Sequence, residues 1–382
     1  TNPNAQVTLT GGDGNDTITG GAAGDSITGG IGNDSLLGGD GNDTLVDADG
    51  NDVLVGGAGD DVYRLTPSGT DTITDTAGIA DRLEILAAVM NTVTYNHTNG
   101  TDGNVQLDPD GPGGVAAHVI TYAGLDPILN FGTAANVIFN LPGTADVARL
   151  SDLVGTLQLE SLNATFETTD FIPPAAGGSL TINLGGGADD LSLVAVATGA
   201  TNIFNGDADN DIFRIDATGL NVTLNGGAGT NDQVIGPAAP TTWTVNGAAS
   251  GSIVSGPTFA TVESLAGNAS PDIFNVTAAW GGSLAGGGGA DQFNLSTGSV
   301  AGTISGDAGN DTITGPNAAN VWNINAANAG TLNGNGFSGV ETLVIDLASG
   351  TVAADVDPGS FDQRAAAADA ERSSALPRAD DL

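Results

Sequence analysis

The sequence has no cysteine, no lysine and a single methionine, and aromatic residues make up only 4% of it. Without cysteine, no disulfide framework can staple the fold, and no thiolate can serve as nucleophile or zinc ligand. All 7 basic residues are arginine, against 45 acidic residues, for a formal net charge of −38. A chain so short of cations cannot displace counterions from nucleic acid or from anionic lipid headgroups, which excludes both as partners. No run of eighteen apolar residues occurs, so no transmembrane helix is predicted. The two histidines, His97 and His118, read as isolated. There is no HExxH and no G-x-S-x-G elbow, so the chain is not expected to be an enzyme. It begins at Thr1 without methionine, as a processed form or a piece of something longer would.

Aspartate and glycine are abundant instead. Of the acids, 39 are Asp and six are Glu (Glu84, Glu160, Glu167, Glu263, Glu341 and Glu371). Aspartate suits turns and short-reach metal coordination, whereas glutamate favours helices. The 60 glycines and 15 prolines favour turns, yet 40% of residues are hydrophobic and alternate in short runs such as TINL. Acidic disordered chains lack that alternation; many short strands produce it. The charge needs neutralisation in a compact fold, and divalent cations are the natural agent. A salt-adapted acidic surface would instead spread its acids evenly, whereas these recur at fixed turn positions.

From Gly11 to Arg64 the chain reads as six nine-residue units without slippage: GGDGNDTIT, GGAAGDSIT, GGIGNDSLL, GGDGNDTLV, DADGNDVLV and GGAGDDVYR. The sixth place is always Asp (Asp16, Asp25, Asp34, Asp43, Asp52, Asp61), and the eighth is Ile18, Ile27, Leu36, Leu45, Leu54 or Tyr63. Six residues of turn and three of strand make half a coil, so each turn should stack on the turn two units later. Glycines such as Gly12, Gly14, Gly30, Gly32, Gly39 and Gly41 can take backbone angles closed to other residues and expose turn carbonyls. With carboxylates from two stacked turns, these carbonyls can form an oxygen cage of the size and count that suits Ca2+ better than Mg2+. The eighth residue should point inward. The array resembles the RTX (repeats-in-toxin) family, whose nonapeptide G-G-x-G-x-D-x-U-x implies several calcium ions bound in a right-handed parallel β-roll. Ala23 departs from that pattern at a fourth place, and Asp47-Ala48 replace the leading Gly pair of the fifth unit, which is expected to bind less tightly.

The nonapeptide repeats stop over residues 66–178, where runs such as DRLEIL, HVITYAGL and NVIFNL predict a β-rich insert, either a small sandwich or irregular solenoid coils. Over 179–347 acidic turns return at a longer period: Asp190, Asp211 and Asp232 lie 21 residues apart, and Asp272, Asp291 and Asp311 follow at 19 and 20. That period suggests one coil per repeat, with fewer cations. Trp243 and Val245 recur as Trp322 and Ile324, and Phe259, Val262, Glu263 and Leu265 as Phe337, Val340, Glu341 and Leu343. Duplication of a stack lengthens solenoids, and both tryptophans read as core fillers. A tail at 348–382 holds Arg364, Arg372 and Arg378 and a short predicted helix capped by Ser360. The expected organisation is thus an all-β solenoid in four parts: 1–65, 66–178, 179–347 and 348–382.

The expected function is structural: a secreted calcium-binding protein that orders outside the cell and self-associates into a fibre, surface layer or matrix. The competing expectations are an adhesin, whose insert recognises a cell-surface glycan, and an export and folding segment of a larger secreted protein.

Overall fold

The computed structural model describes residues 5–75, 77–78, 80–111, 117–316, 318, 320–344 and 351–354. Among them there are strands and turns and no helix. The helix expected after Ser360 lies outside the described residues. Two compact units divide at Thr230/Asn231.

In the first unit, alternate nonapeptides supply strands to two sheets. One stacks Thr8–Asp13, Ser26–Ile31, Thr44–Asp47, Val62–Leu65 and Arg82–Ile85 in parallel. The other stacks Thr17–Gly21, Ser35–Asp40, Val53–Ala58 and Thr70–Thr74. Pairing of Thr8 with Ser26 and of Thr17 with Ser35 gives the coil of two nonapeptides. The strand alternation turns one residue in two inward, and Ile27, Leu36, Leu45, Leu54 and Tyr63 are buried in the stack between the sheets. Ile18, in the outermost coil, is only half-buried. Gly30 and Gly32 show why the turns need glycine. Their φ angles are 124° and 133°, and a Cβ on either would strike the carbonyl of Gly12 or Gly14 in the coil before.

Residues 66–178 continue the same two sheets as irregular coils. In one sheet Val89–His97, Asp102–Asp108 and His118–Ala123 form an antiparallel meander, whose last strand pairs in parallel with Thr70–Thr74 and whose first pairs in parallel with Thr133–Asn140. In the other, Val147–Asp152, Leu157–Ser161 and Thr169–Phe171 do the same between Ile128–Asn130 and Asp190–Leu193. Three antiparallel strands return the chain to its starting direction, so parallel stacking resumes afterwards. A column of asparagines knits the later coils: Asn140, Asn183, Asn205 and Asn225 each donate a side-chain N–H to Asn96, Asn140, Asn183 and Asn205 respectively, all at 2.7 Å.

The second unit repeats the device. Trp243 opens a meander of Thr242–Gly247, Ser250–Ile253 and Thr258–Ala260, and Trp322 opens one of Val321–Ala326, Ala329–Leu332 and Asn335–Ser338. Each has a register irregularity in its first hairpin, after Val245 and after Ile324. Each packs its tryptophan edge-on against a phenylalanine, Phe259 at 6.2 Å and Phe337 at 6.0 Å. Both tryptophans are buried, as core fillers should be.

Candidate metal centre

The turn aspartates form ladders. At the start of a strand, an aspartate accepts through Oδ1 the backbone N–H of the aspartate one coil earlier. Asp34, Asp43, Asp52, Asp61, Asp71 and Asp81 accept from Asp16, Asp25, Asp34, Asp43, Asp52 and Asp61 at 2.6 to 3.2 Å. The pattern returns beyond the insert, where Asp189 and Asp211 accept from Asp146 and Asp189. In the second unit Asp272, Asp291 and Asp311 accept from Thr241, Asp272 and Asp291. At the two meanders there, the acceptor is a glutamate: Glu263 takes the N–H of Asp232, and Glu341 that of Asp311.

Oδ1 is therefore engaged along the ladders, and Oδ2 carries the remaining chemistry. The Oδ2 atoms of Asp16, Asp25, Asp34, Asp43, Asp61, Asp146, Asp189, Asp291 and Asp311 are buried without a hydrogen-bond partner. Those of the repeats sit over the first-place glycines, where a Cβ on Gly11, Gly20 or Gly38 would meet both a ladder Oδ2 and the carbonyl of Gly29, Gly38 or Gly56 in the next coil. Gly12, Gly14, Gly30, Gly32, Gly39 and Gly41 all have positive φ between 109° and 133°. Buried carboxylate oxygens beside backbone carbonyls form a hard, anionic, all-oxygen donor set.

No arginine relieves that charge among the described residues. Arg64 and Arg82 both pair with Glu84, Arg149 with Glu160 and Arg214 with Asp190, all on outward-facing strand positions. Burial instead pushes the carboxyls up: Asp61 and Asp71 to about 7, Asp189 to about 8, and Asp291 and Asp311 to about 6, with Asp43, Asp81 and Asp272 shifted the same way. Ordered charges about 5 Å apart repel by on the order of 3 kcal/mol at an effective dielectric of about 20. Protons or cations must therefore occupy this column, and Ca2+ fits its oxygens.

Of the residues read from sequence, Asp16, Asp25, Asp34, Asp43, Asp52, Asp61, Asp211, Asp272, Asp291 and Asp311 stand in a ladder as acceptors or donors, and Asp232 stands there as the donor to Glu263. Asp190 does not. It faces outward and pairs with Arg214, and the ladder place belongs to Asp189. Alternation decides between them, because Leu191 and Leu193 face the core and put Asp189 on their side. Sequence reasoning also passed over Asp71, Asp81 and Asp146.

His97, expected to be isolated, is partnered. Its Nδ1 bonds Glu167 Oε2, and Tyr122 Oη lies 3.4 Å from the same nitrogen. Both His97 and Glu167 side chains are fully buried under Phe139 and Phe166, so the pair is part of the core. A pocket in the second unit lined by Leu295, Val300, Ile304, Pro316, Leu332 and Phe337 encloses only about 30 Å³. Neither place presents a titratable side chain to a substrate-sized cleft.

The family profile of the RTX calcium-binding nonapeptide repeat matches this chain in four copies, over residues 8–36, 37–64 and 296–315. The third stretch includes Asp311, which shows that the repeat recurs beyond the insert. No curated protein matches the chain.

Proposed function

Because the chain is an RTX repeat protein and such repeats bind Ca2+, we propose that it is a secreted structural protein whose coils order on calcium and then self-associate into an extracellular fibre, surface layer or matrix. One observation carries this reading: the column of buried Oδ2 atoms that no protein donor satisfies. An array that needs many cations to relieve its own charge folds where calcium is plentiful. Extracellular calcium modules bind at about 10⁻⁴–10⁻³ M, so the coils lose the stabilisation that calcium gives them where calcium is scarce. Binding at a hundred times Kd contributes about 2.7 kcal/mol per site, and several sites make ordering steep. Strand edges at the ends of a coil stack supply the route to self-association.

The described residues give a glycan-binding insert little support. Tyr95, Tyr122, Phe139, Phe166 and Phe171 are buried in the core, which leaves Phe131 as the exposed ring of that segment for stacking on a sugar.

The test is a calcium titration of the chelator-stripped chain followed by far-ultraviolet circular dichroism, with negative-stain microscopy of both end states. We expect a cooperative gain of β signal near millimolar calcium, with fibres or sheets in the loaded state. Single particles at both ends would retain the calcium reading and overturn self-association. An unchanged spectrum would overturn both.

A further inference from the structure

On each row of turns the leading glycine gives way once to an acid, at Asp47 in the fifth unit and at Asp75 just past the sixth. Val46 pairs with Thr28, so Asp47 stacks on Gly29. Thr74 pairs with Val55, so Asp75 stacks on Gly56. The two side chains turn into equivalent spaces. A Cβ on Gly29 would meet Asp34 Oδ2 and Asp47 Oδ1, and a Cβ on Gly56 would meet Asp61 Oδ2 and Asp75 Oδ2. One carboxylate oxygen from each of Asp34, Asp47 and Asp52 lies within 4.8 Å of the other two, and the same holds for Asp61, Asp75 and Asp81.

All six residues are at most 4% exposed. Neither oxygen of Asp47 has a hydrogen-bond partner, and Asp34 Oδ2 and Asp61 Oδ2 have none. In the second cluster the Tyr63 hydroxyl donates to Asp75 Oδ2 at 2.6 Å and accepts the Gly56 N–H at 2.7 Å, which holds the extra carboxylate over the glycine. Substituting an acid for a glycine on one row could be incidental. The same substitution in the same stacked place on both rows, each time completing a buried triad, is a pattern.

We propose that Asp34–Asp47–Asp52 and Asp61–Asp75–Asp81 are two three-carboxylate calcium sites, distinct from the two-aspartate sites of the regular repeats, and that they fill first. The inference rests on the calcium reading above and deepens it. Affinity for Ca2+ rises with the anionic charge around the ion, and each triad offers one more carboxylate than a pair of ladder aspartates. One of the tightest ions then sits within the array, at its fifth unit, and the other just past its sixth. The fifth unit, expected to bind weakly for want of its leading glycines, would hold one of the strongest.

Isothermal titration calorimetry of the chelator-stripped full chain with calcium chloride tests this, comparing wild type with Asp47→Gly, Asp75→Gly and the double variant. Wild type should show a tight class of two ions ahead of a weaker class. Each single variant should keep one tight ion and the double variant none, with the affected affinity falling at least about tenfold and the weaker class retained. Glycine is what the earlier units carry at this place, so the coils should still form. Asp47→Asn with Asp75→Asn keeps side-chain volume and should give the same loss if the glycine pair does not fold. A double variant that retains two tight ions would overturn the proposal and leave the calcium reading intact, as would a wild-type isotherm with one uniform class. A wild type that takes no calcium at all would overturn both.

Discussion

At Asp43, one carboxylate oxygen accepts the N–H of Asp25, while the other lies over Gly38 with no hydrogen-bond partner. These two duties can be separated by substitution. Asp43→Asn keeps an oxygen for the backbone N–H and removes the charge. It should stabilise the chelated chain by roughly 1 kcal/mol, by removing a charge that burial penalises and that Asp25 and Asp40 repel, and destabilise the calcium-loaded one. Asp43→Ala strands the Asp25 N–H and should cost about 1–3 kcal/mol in both conditions. Urea denaturation of each variant in calcium and in chelator reads the difference, and the same sign for Asn in both conditions would refute the division of roles. The pH dependence follows from the same oxygens. Burial lifts Asp61 and Asp71 to about 7 and Asp47 and Asp189 to about 8, from an ordinary value of 3.8. The folded, calcium-free chain therefore holds protons more tightly than the unfolded chain does. That stabilisation is complete below about pH 3.8 and is lost as pH rises through about 6 to about 8. The urea midpoint in chelator should fall from pH 4.5 to pH 8, and calcium at pH 8 should restore it. A midpoint that climbs with pH in chelator would contradict the assignment.

Among the elements, the meanders separate what the sequence makes legible from what it hides. The nonapeptide coil is readable because its period is strict: glycine, aspartate and one large apolar residue recur at fixed places, and each has a distinct physical job. Asp190 was misread because GGGADD offers two adjacent acids and a turn motif does not specify phase; the inward Leu191 and Leu193 do. Glu263 and Glu341 were visible as members of a long repeat, but their role was not, since a glutamate replaces an aspartate only where a meander moves the next coil. The asparagine column was equally hidden, because each partner lies a coil away at spacings that change from 44 to 20 residues. In the Trp322 meander, Gly330 lies under the Phe337 ring and beside the Asn323 carbonyl, and an added Cβ would collide with both. Gly330→Ala should cost about 1–3 kcal/mol by overpacking, measured by urea denaturation in saturating calcium. Gly334→Ala, with open space around its Cβ but a φ of 92°, should cost less, by conformational strain alone.

For the molecule as a whole, the formal charge of −38 poses a choice between ligation and screening. Sodium chloride at about 1 M shrinks the Debye length to about 3 Å and would quiet exposed acids spread over a surface. It cannot supply a divalent ion to buried oxygens. Molar sodium chloride in chelator should therefore fail to recover the β signal that millimolar calcium gives. Recovery by sodium chloride alone would mean that a salt-adapted surface, and not ligation, governs the fold.

The ladder also has a direction. Every ladder aspartate Oδ1 accepts from the coil on its N-terminal side, never from the coil after it. A coil stack interrupted at any point thus has two unlike faces. One presents aspartate Oδ1 acceptors. The other presents the aspartate N–H groups together with asparagine Oδ1 acceptors, since Asn33 and Asn51 donate their N–H groups to Asn15 and Asn33 of the coil before. Two acceptor faces brought together would set carboxylate against carboxylate, and two donor faces would set aspartate N–H against aspartate N–H. Any joint made through these faces must run head to tail, and a head-to-tail joint without closure makes a polymer with a plus end and a minus end.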